Sequence, residues 1–162
     1  MECWEHISAP FGDFLIKATD KGITSLSFIV DSVNGDNPNQ WTASAAQQLK
    51  AYFAGELQTF EVNIDYRGFS TFQRQIMELL QQIPFGKTIS YTDLALRYGD
   101  LKSIRAVANA NARNPLPIII PCHRVIGKNG HLTGYALGLE MKKALLTHEN
   151  PLLFSAQQRL AL

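Results

Sequence analysis

The stretch Asn114–Gly127, NPLPIIIPCHRVIG, constrains this chain more than any other. A proline has no backbone N–H to donate, fixes its own φ, and pushes the residue before it out of the helical region. Asn114-Pro115 therefore stops any helix arriving from upstream, while Pro117 and Pro121 pin the apolar run Ile118–Ile120 between them. Such a run forms a rigid, partly dry wall, and Cys122, His123 and Arg124 leave it in immediate succession. A thiol that serves only as packing needs neither basic neighbour. A redox pair needs a second cysteine close by, and the other cysteine of the chain is Cys3. The neighbours favour a nucleophile over a small buried packing residue.

Only a thiolate is a strong nucleophile, and a free thiol with a pKa of about 8.5 is mostly protonated at neutral pH. Nearby positive charge or a base lowers that barrier, so the expectation is an ionised sulfur in a groove-facing wall. Adjacent residues point to opposite sides of a strand and about 100° apart on a helix. His123 should then reach the sulfur through a turn or a bridging water. Such a base also needs an orienting group on its other nitrogen. The spacing of Leu139, Met141, Leu145 and Leu146 predicts a helix from Gly138 to about His148, closing in His148-Glu149-Asn150-Pro151. A carboxylate at a helix C-terminus opposes the dipole at a cost of about a few tenths of a kcal/mol. Glu149 is thus either a frayed surface residue or the partner of an imidazole.

At 162 residues the chain holds one domain or two small ones, and 46% apolar with 18% charged content describes an ordinary globular protein. MECWEHISAP has no apolar core of a signal peptide, and no apolar run approaches the roughly 18 residues of a membrane span. Cysteines only at 3 and 122 give no disulfide framework, and a cytoplasmic setting is expected. Cys3 and His6 have a C-x-x-H spacing, but two ligands without a partner pair do not make a zinc site, so no metal is expected. The net charge of +1 conceals a split: residues 1–66 hold three lysines and no arginine against nine acids, and residues 67–150 hold eleven basic residues against five acids. A basic half beside an acidic one is the footprint of a nucleic-acid-binding domain joined to a supporting domain.

The first half reads as a small sheet with one helix. Alternation in Gly12–Lys17, in Leu26, Phe28 and Val30, and in Phe60, Val62 and Ile64 predicts strands, with a loop at Asp31–Asn39. Thr42 is the N-cap candidate for a helix carrying Ala45, Leu49, Tyr52 and Phe53 as far as Gly55. Composition shifts at Tyr66-Arg67-Gly68, which places a supporting domain at 1–67, a second domain at 68–151 and a short tail at 152–162 with no role assigned. The second domain is mainly helical. Ser70 and Gln73 form a capping-box pair ahead of Phe72, Ile76, Leu79, Leu80 and Ile83, and Pro84–Lys87 is a turn. Ser90 caps Tyr91–Tyr98, which Gly99 stops, and Ser103 caps a helix from Ile104 to about Arg113. Two short helices so spaced match a helix-turn-helix, and the fold class is α+β with a winged-helix-like C-terminal domain. The second helix, rich in alanine and asparagine with Arg105 and Arg113 as its charges, either packs as a core helix or offers hydrogen-bond donors to phosphates and base edges.

Phe72–Asn150 strongly resembles the O6-alkylguanine-DNA alkyltransferases, through FQRQIMELLQQIPFGKTISY, RAVANANARNPLPIIIPCHRVIG and GYALGLEMKKALLTHE. The resemblance implies a DNA repair protein that flips an O6-alkylguanine out of duplex DNA and moves its alkyl group irreversibly to Cys122. His123 would accept the thiol proton through water, Glu149 would hold the imidazole, and Tyr91 would bond or protonate the leaving guanine. Asn114 would brace the active-site turn, backbone groups at Cys122, Val125 and Ala136 would contact the base, and Tyr135 and Leu137 would line the pocket. Arg105 would fill the gap left by the base, with Ser90, Ser103, Ala106, Asn109, Arg113 and Arg124 on the DNA side. No cofactor is implied, because the protein is itself the acceptor; a monomer is expected, and cooperative assembly on DNA stays open. Ala108 and Asn109 stand where many relatives carry glycine or alanine, and Leu137 replaces a commonly small residue, which would narrow the pocket. A non-catalytic helix-turn-helix regulator and a cysteine hydrolase are the alternatives.

Overall fold

Period-two alternation of apolar side chains builds a three-stranded antiparallel sheet, β1 (Cys3–Ala9), β2 (Gly12–Ala18) and β3 (Ile23–Phe28), in the order β1-β2-β3. The computed structural model describes residues 1–29 and 34–152. Val30, residues 31–33 of the expected loop, and the tail beyond Leu152 lie outside the described residues. The chain divides into two units, Met1–Gly68 and a second beginning at Phe69.

In the first unit Phe14, Ile16 and Ala18 of β2 are buried in alternation and face the helix α1 (Gln40–Phe53), which buries Ala45, Ala46, Leu49 and Tyr52. The N-cap of α1 is Asn39, not Thr42. Asn39 Oδ1 accepts from the N–H groups of Trp41 and Thr42, and the Thr42 hydroxyl oxygen accepts from the Asn39 N–H, so threonine occupies the far corner of a capping box. Phe60–Ile64 does not form the expected strand; only Ile64 bridges Ile23. The reason lies in where its backbone bonds go: the amide of Gln48 accepts from Glu61 N (2.7 Å) and donates to Glu61 O (2.9 Å), replacing a ladder. His6 bonds Asp36 through its backbone N–H and its ring Nδ1.

The second unit begins with α2 (Thr71–Leu80), capped by Ser70, whose oxygen accepts from Gln73 N. The Gln73 amide does not return to the cap; it donates to the Arg113 carbonyl at 3.3 Å. A two-residue strand β4 (Ile89–Ser90) turns directly into α3 (Tyr91–Tyr98), with Ser90 and Asp93 forming a reciprocal capping box. Gly99 ends α3 at φ +104°, a conformation that a side chain would strain. The helix α4 (Ile104–Ala112) follows a 3-10 turn over Leu101–Ser103. Ser103 makes no side-chain cap: its backbone (φ −85°, ψ 8°) is not extended, and its hydroxyl donates to Asp100 O. A second short strand, β5 (Val125–Ile126), runs parallel to β4 with Ile89 opposite Val125 and Ser90 opposite Ile126. The last helix is α5 (Leu139–Glu149).

Candidate active site and nucleic-acid face

Cys122, His123 and Arg124 form one 3-10 turn, held by Cys122 N donating to Ile120 O (2.7 Å) and Arg124 N to Pro121 O (3.0 Å). Upstream, Ile120 N donates to Leu116 O at 2.9 Å, closing a turn in which Ile118 adopts φ +75°. That left-handed conformation is rare for a β-branched residue and costs on the order of 1–3 kcal/mol. Asn114 maintains it, accepting from Leu116 N (2.9 Å) and donating to Ile120 O (2.8 Å). Asn114 is buried with both ends of its amide engaged in bracing the turn, and its side chain also lowers the Cys122 thiol. Downstream, the β4–β5 pairing ties Ser90, and so the start of α3 with Tyr91, to the end of the cysteine turn.

The C-terminal carboxylate of α5 has its partners. Glu149 Oε1 lies 2.7 Å from His123 Nε2, and Arg124 donates through Nε to Oε2 (2.8 Å) and Nη2 to Oε1 (2.8 Å). Gly86 N also points at Oε2, at 3.4 Å. Gly86 sits at φ +77°, and a Cβ there would meet the Glu149 carbonyl at 3.3 Å. Burial alone would raise the Glu149 carboxyl, but His123 and Arg124 more than reverse it and hold it well below the carboxylate range. Burial also lowers His123, fully enclosed at 0% exposure, beneath its ordinary 6.5 despite the opposing pull of Glu149. The imidazole is therefore neutral. A carboxylate can only accept, so Nε2 carries the proton and Nδ1 the lone pair, and Nδ1 bonds no described residue. Arg124 is corrected by the same geometry: 5% exposed, forked onto Glu149 and donating to Ile83 O at 2.6 Å, it is turned into the core and not toward a phosphate.

The sulfur differs from expectation. Cys122 is 1% exposed, and burial pushes its thiol up to about 11, with Asn114 and Lys142 recovering only part of the shift. The thiol is protonated in the free protein, because desolvation outweighs the nearby cation and the neutral His123 contributes no charge.

Lys142 is the residue that sequence reasoning passed over. It lies three and four residues before Leu145 and Leu146, on the buried side of α5, and that spacing was the available signal. At 0% exposure its ammonium donates to Val125 O (2.7 Å) and Thr133 O (2.9 Å) and stands 6.0 Å from the Tyr91 ring centre. Burial lowers it to about 8, with Cys122 pulling the other way. Tyr91 donates to Thr133 O at 3.2 Å, and its phenol is raised chiefly by burial. The Tyr135 ring stands edge-on to His123 at 6.5 Å. Val125 is buried, with its carbonyl bound by Lys142; Ala136 is exposed and Leu137 half-buried on the segment entering α5.

On α4, Arg105, Ala106, Asn109 and Arg113 are exposed on one face, while Val107, Ala110 and Asn111 turn inward. Ser103 is half-buried beside this face, and Ser90 commits its oxygen to the cap of α3.

Family profiles cover both units. The 6-O-methylguanine DNA methyltransferase DNA binding domain matches residues 71–151, and the ribonuclease-like domain of the same family matches residues 3–66. A methylated-DNA–protein-cysteine methyltransferase of Methanosarcina acetivorans is 42% identical over 147 residues, covering 87% of this chain and 94% of its own. The crystal structure of Mycobacterium tuberculosis O6-methylguanine methyltransferase superimposes with TM-score 0.82 at 38% identity, over 93% of this chain and 94% of that one. A structure of the M. tuberculosis protein in complex with DNA gives TM-score 0.81 at 39% identity, over 91% and 92%. With an α+β fold, a PCHR turn and matches across both halves, this chain belongs to the 6-O-methylguanine DNA methyltransferase family.

Proposed function

We propose that this chain is a DNA repair protein, a methylated-DNA–protein-cysteine methyltransferase that takes an alkyl group from O6-alkylguanine in duplex DNA onto its own Cys122. The observation that carries this reading is a neutral His123, bonded to Glu149 through one nitrogen and with the other lone pair unused, directly following a buried cysteine. A thiol that is protonated at rest must ionise inside the complex, where a bound base completes the site. Its proton passes to His123 Nδ1 through a water, and Glu149 stabilises the imidazolium that forms. The sulfur then attacks the alkyl carbon, the C–O6 bond breaks, and the electron pair leaves on guanine, which Tyr91 bonds or protonates. A thioether is a poor leaving group, so each molecule acts once. No cofactor enters the balance, since the protein is the acceptor.

Extrusion of the base supports a role for α4 at the duplex: Arg105, exposed at its first turn, fills the gap, and Asn109 and Arg113 contact the backbone. Every residue named comes from one chain, so a monomer suffices, and reduced cysteines suit the cytoplasm. Among the described residues no helix is long and apolar enough to cross a membrane.

Intact-mass spectrometry after incubation with duplex DNA containing O6-methylguanine tests the proposal. The expected product carries one added methyl, located on Cys122 and absent from Cys122→Ser. An unchanged mass with retained binding would instead describe a non-catalytic lesion binder, and multiple turnovers a hydrolase.

A further inference from the structure

Thr133 lies on the segment between β5 and α5, 42 residues along the chain from Tyr91, and both of its oxygens meet the phenol. The Tyr91 hydroxyl donates to the Thr133 carbonyl at 3.2 Å, and the two hydroxyl oxygens stand 3.4 Å apart. A phenol has one proton to donate. With that proton on the carbonyl, the threonine hydroxyl is the donor of the second bond and the phenol oxygen its acceptor. The carbonyl has another donor, the Lys142 ammonium at 2.9 Å, which is tied at the same time to Val125 O.

In the free protein the tyrosine proton is thus occupied by the protein's own backbone. To bond the leaving guanine, the phenol must turn that proton away from Thr133 O. Lys142 keeps the carbonyl bonded as it does so, and no acceptor is stranded. The threonine hydroxyl then has a different task. As the proton is shared with guanine, negative charge gathers on the phenol oxygen, and a hydrogen bond donated to that oxygen strengthens with it. Burial opposes charge on the phenol, and the Thr133 hydroxyl pulls the other way. We infer that Thr133 is a positioning residue of the transfer reaction, holding the Tyr91 proton on its carbonyl until the base arrives and supporting the phenol oxygen through its hydroxyl afterwards. This rests on the transfer reading above and deepens it. The two tasks belong to different atoms, so a side-chain substitution separates them.

Thr133→Val nearly preserves the shape and removes only the hydroxyl, whereas Thr133→Ser keeps it. Two rates are read in each protein. One is single-turnover methyl transfer from an O6-methylguanine duplex at saturating protein. The other is alkylation of Cys122 by iodoacetamide, whose iodide departs without taking a proton. Thr133→Val is expected to slow methyl transfer by roughly three- to tenfold, the effect of one hydrogen bond to an oxygen gaining charge. Its iodoacetamide rate, and both rates of Thr133→Ser, stay within about twofold of wild type. Equal slowing of both reactions in Thr133→Val would place the effect at the sulfur and overturn the inference. Methyl transfer untouched in Thr133→Val, or equally slow in Thr133→Ser, overturns it as well. A wild type that transfers no methyl at all would instead remove the repair reading, and the inference with it.

Discussion

Lys142 and Cys122 share one buried neighbourhood in which each opposes what burial does to the other: the ammonium draws the thiol down, and the sulfur holds the ammonium up. Arg124 is bound to Glu149 and His123 is neutral, so Lys142 is the positive charge that bears on the sulfur.

Near pH 11, where Cys122 titrates, Lys142 has itself lost its proton, so Lys142→Met should leave ionisation of Cys122 no lower than about 11, and Lys142→Arg, which stays charged there, should lower it. The pH dependence of Cys122 alkylation by iodoacetamide in the free protein measures this; an unchanged profile in Lys142→Arg would contradict it. Stability carries a second signature. The folded pKa of about 8 lies below the ordinary 10.5, so the unfolded chain binds a proton that the folded chain has lost between those values. Wild type should gain stability from pH 8 to about 9.0, above which the raised Cys122 thiol offsets the gain, and Lys142→Met should not. Urea midpoints across that range decide it.

Glu149→Gln leaves a buried guanidinium without its counter-charge and faces the imidazole with an amide that can either accept or donate. A loss of about 3–5 kcal/mol in urea unfolding is expected. Combining it with Arg124→Leu should restore much of the stability but not the transfer rate, since the His123 tautomer is no longer fixed. Recovery of transfer in the double variant would show that Glu149 acts only through Arg124.

Acid should weaken the two units over different ranges. His123 is held below 6.5 and Glu149 below 4.5, so the second unit loses stability as pH falls through 6.5 and again below 4.5. In the first unit Asp65, held down by Arg67 and by the Thr19 hydroxyl, loses its contribution only below its ordinary 3.8. Both tryptophans, Trp4 and Trp41, lie in the first unit, so fluorescence reports that unit alone. The acid midpoint by fluorescence should fall below the midpoint by helical circular dichroism; coincident midpoints would contradict the assignment.

Arg105→Ala should slow O6-methylguanine repair by about tenfold or more while reducing affinity for undamaged duplex by less than about threefold. Equal losses in both assays would make Arg105 a plain phosphate contact.

Leu137 stands half-buried at the entrance to α5. Leu137→Gly should speed inactivation by O6-benzylguanine several-fold and leave methyl transfer within about twofold. Equal benzyl rates would remove a narrowing role for this side chain.

Local chemistry made most of the frame legible. Alternation marked β2 and β3, Ser90 and Gly99 bracketed α3, and Glu149 at a disfavoured helix end announced a partner. What stayed hidden depended on non-local competition. Gln48 captured the backbone of Glu61 and removed a strand, and Asn39 displaced Thr42 at a cap. The state of the sulfur was misread because basic neighbours suggest a thiolate, whereas Arg124 is consumed by Glu149 and desolvation governs the rest. Lys142 and Asn111 are polar residues on inward helix faces, and only packing reveals what they touch.

The backward-wound Ile118 makes the ground beneath the cysteine brittle. Its contorted backbone persists only while one asparagine grips the chain on both sides, so forfeiting either grip lets the loop spring toward an easier shape. Position at the sulfur should then fail abruptly, as a catch lets go, and not by gradual drift.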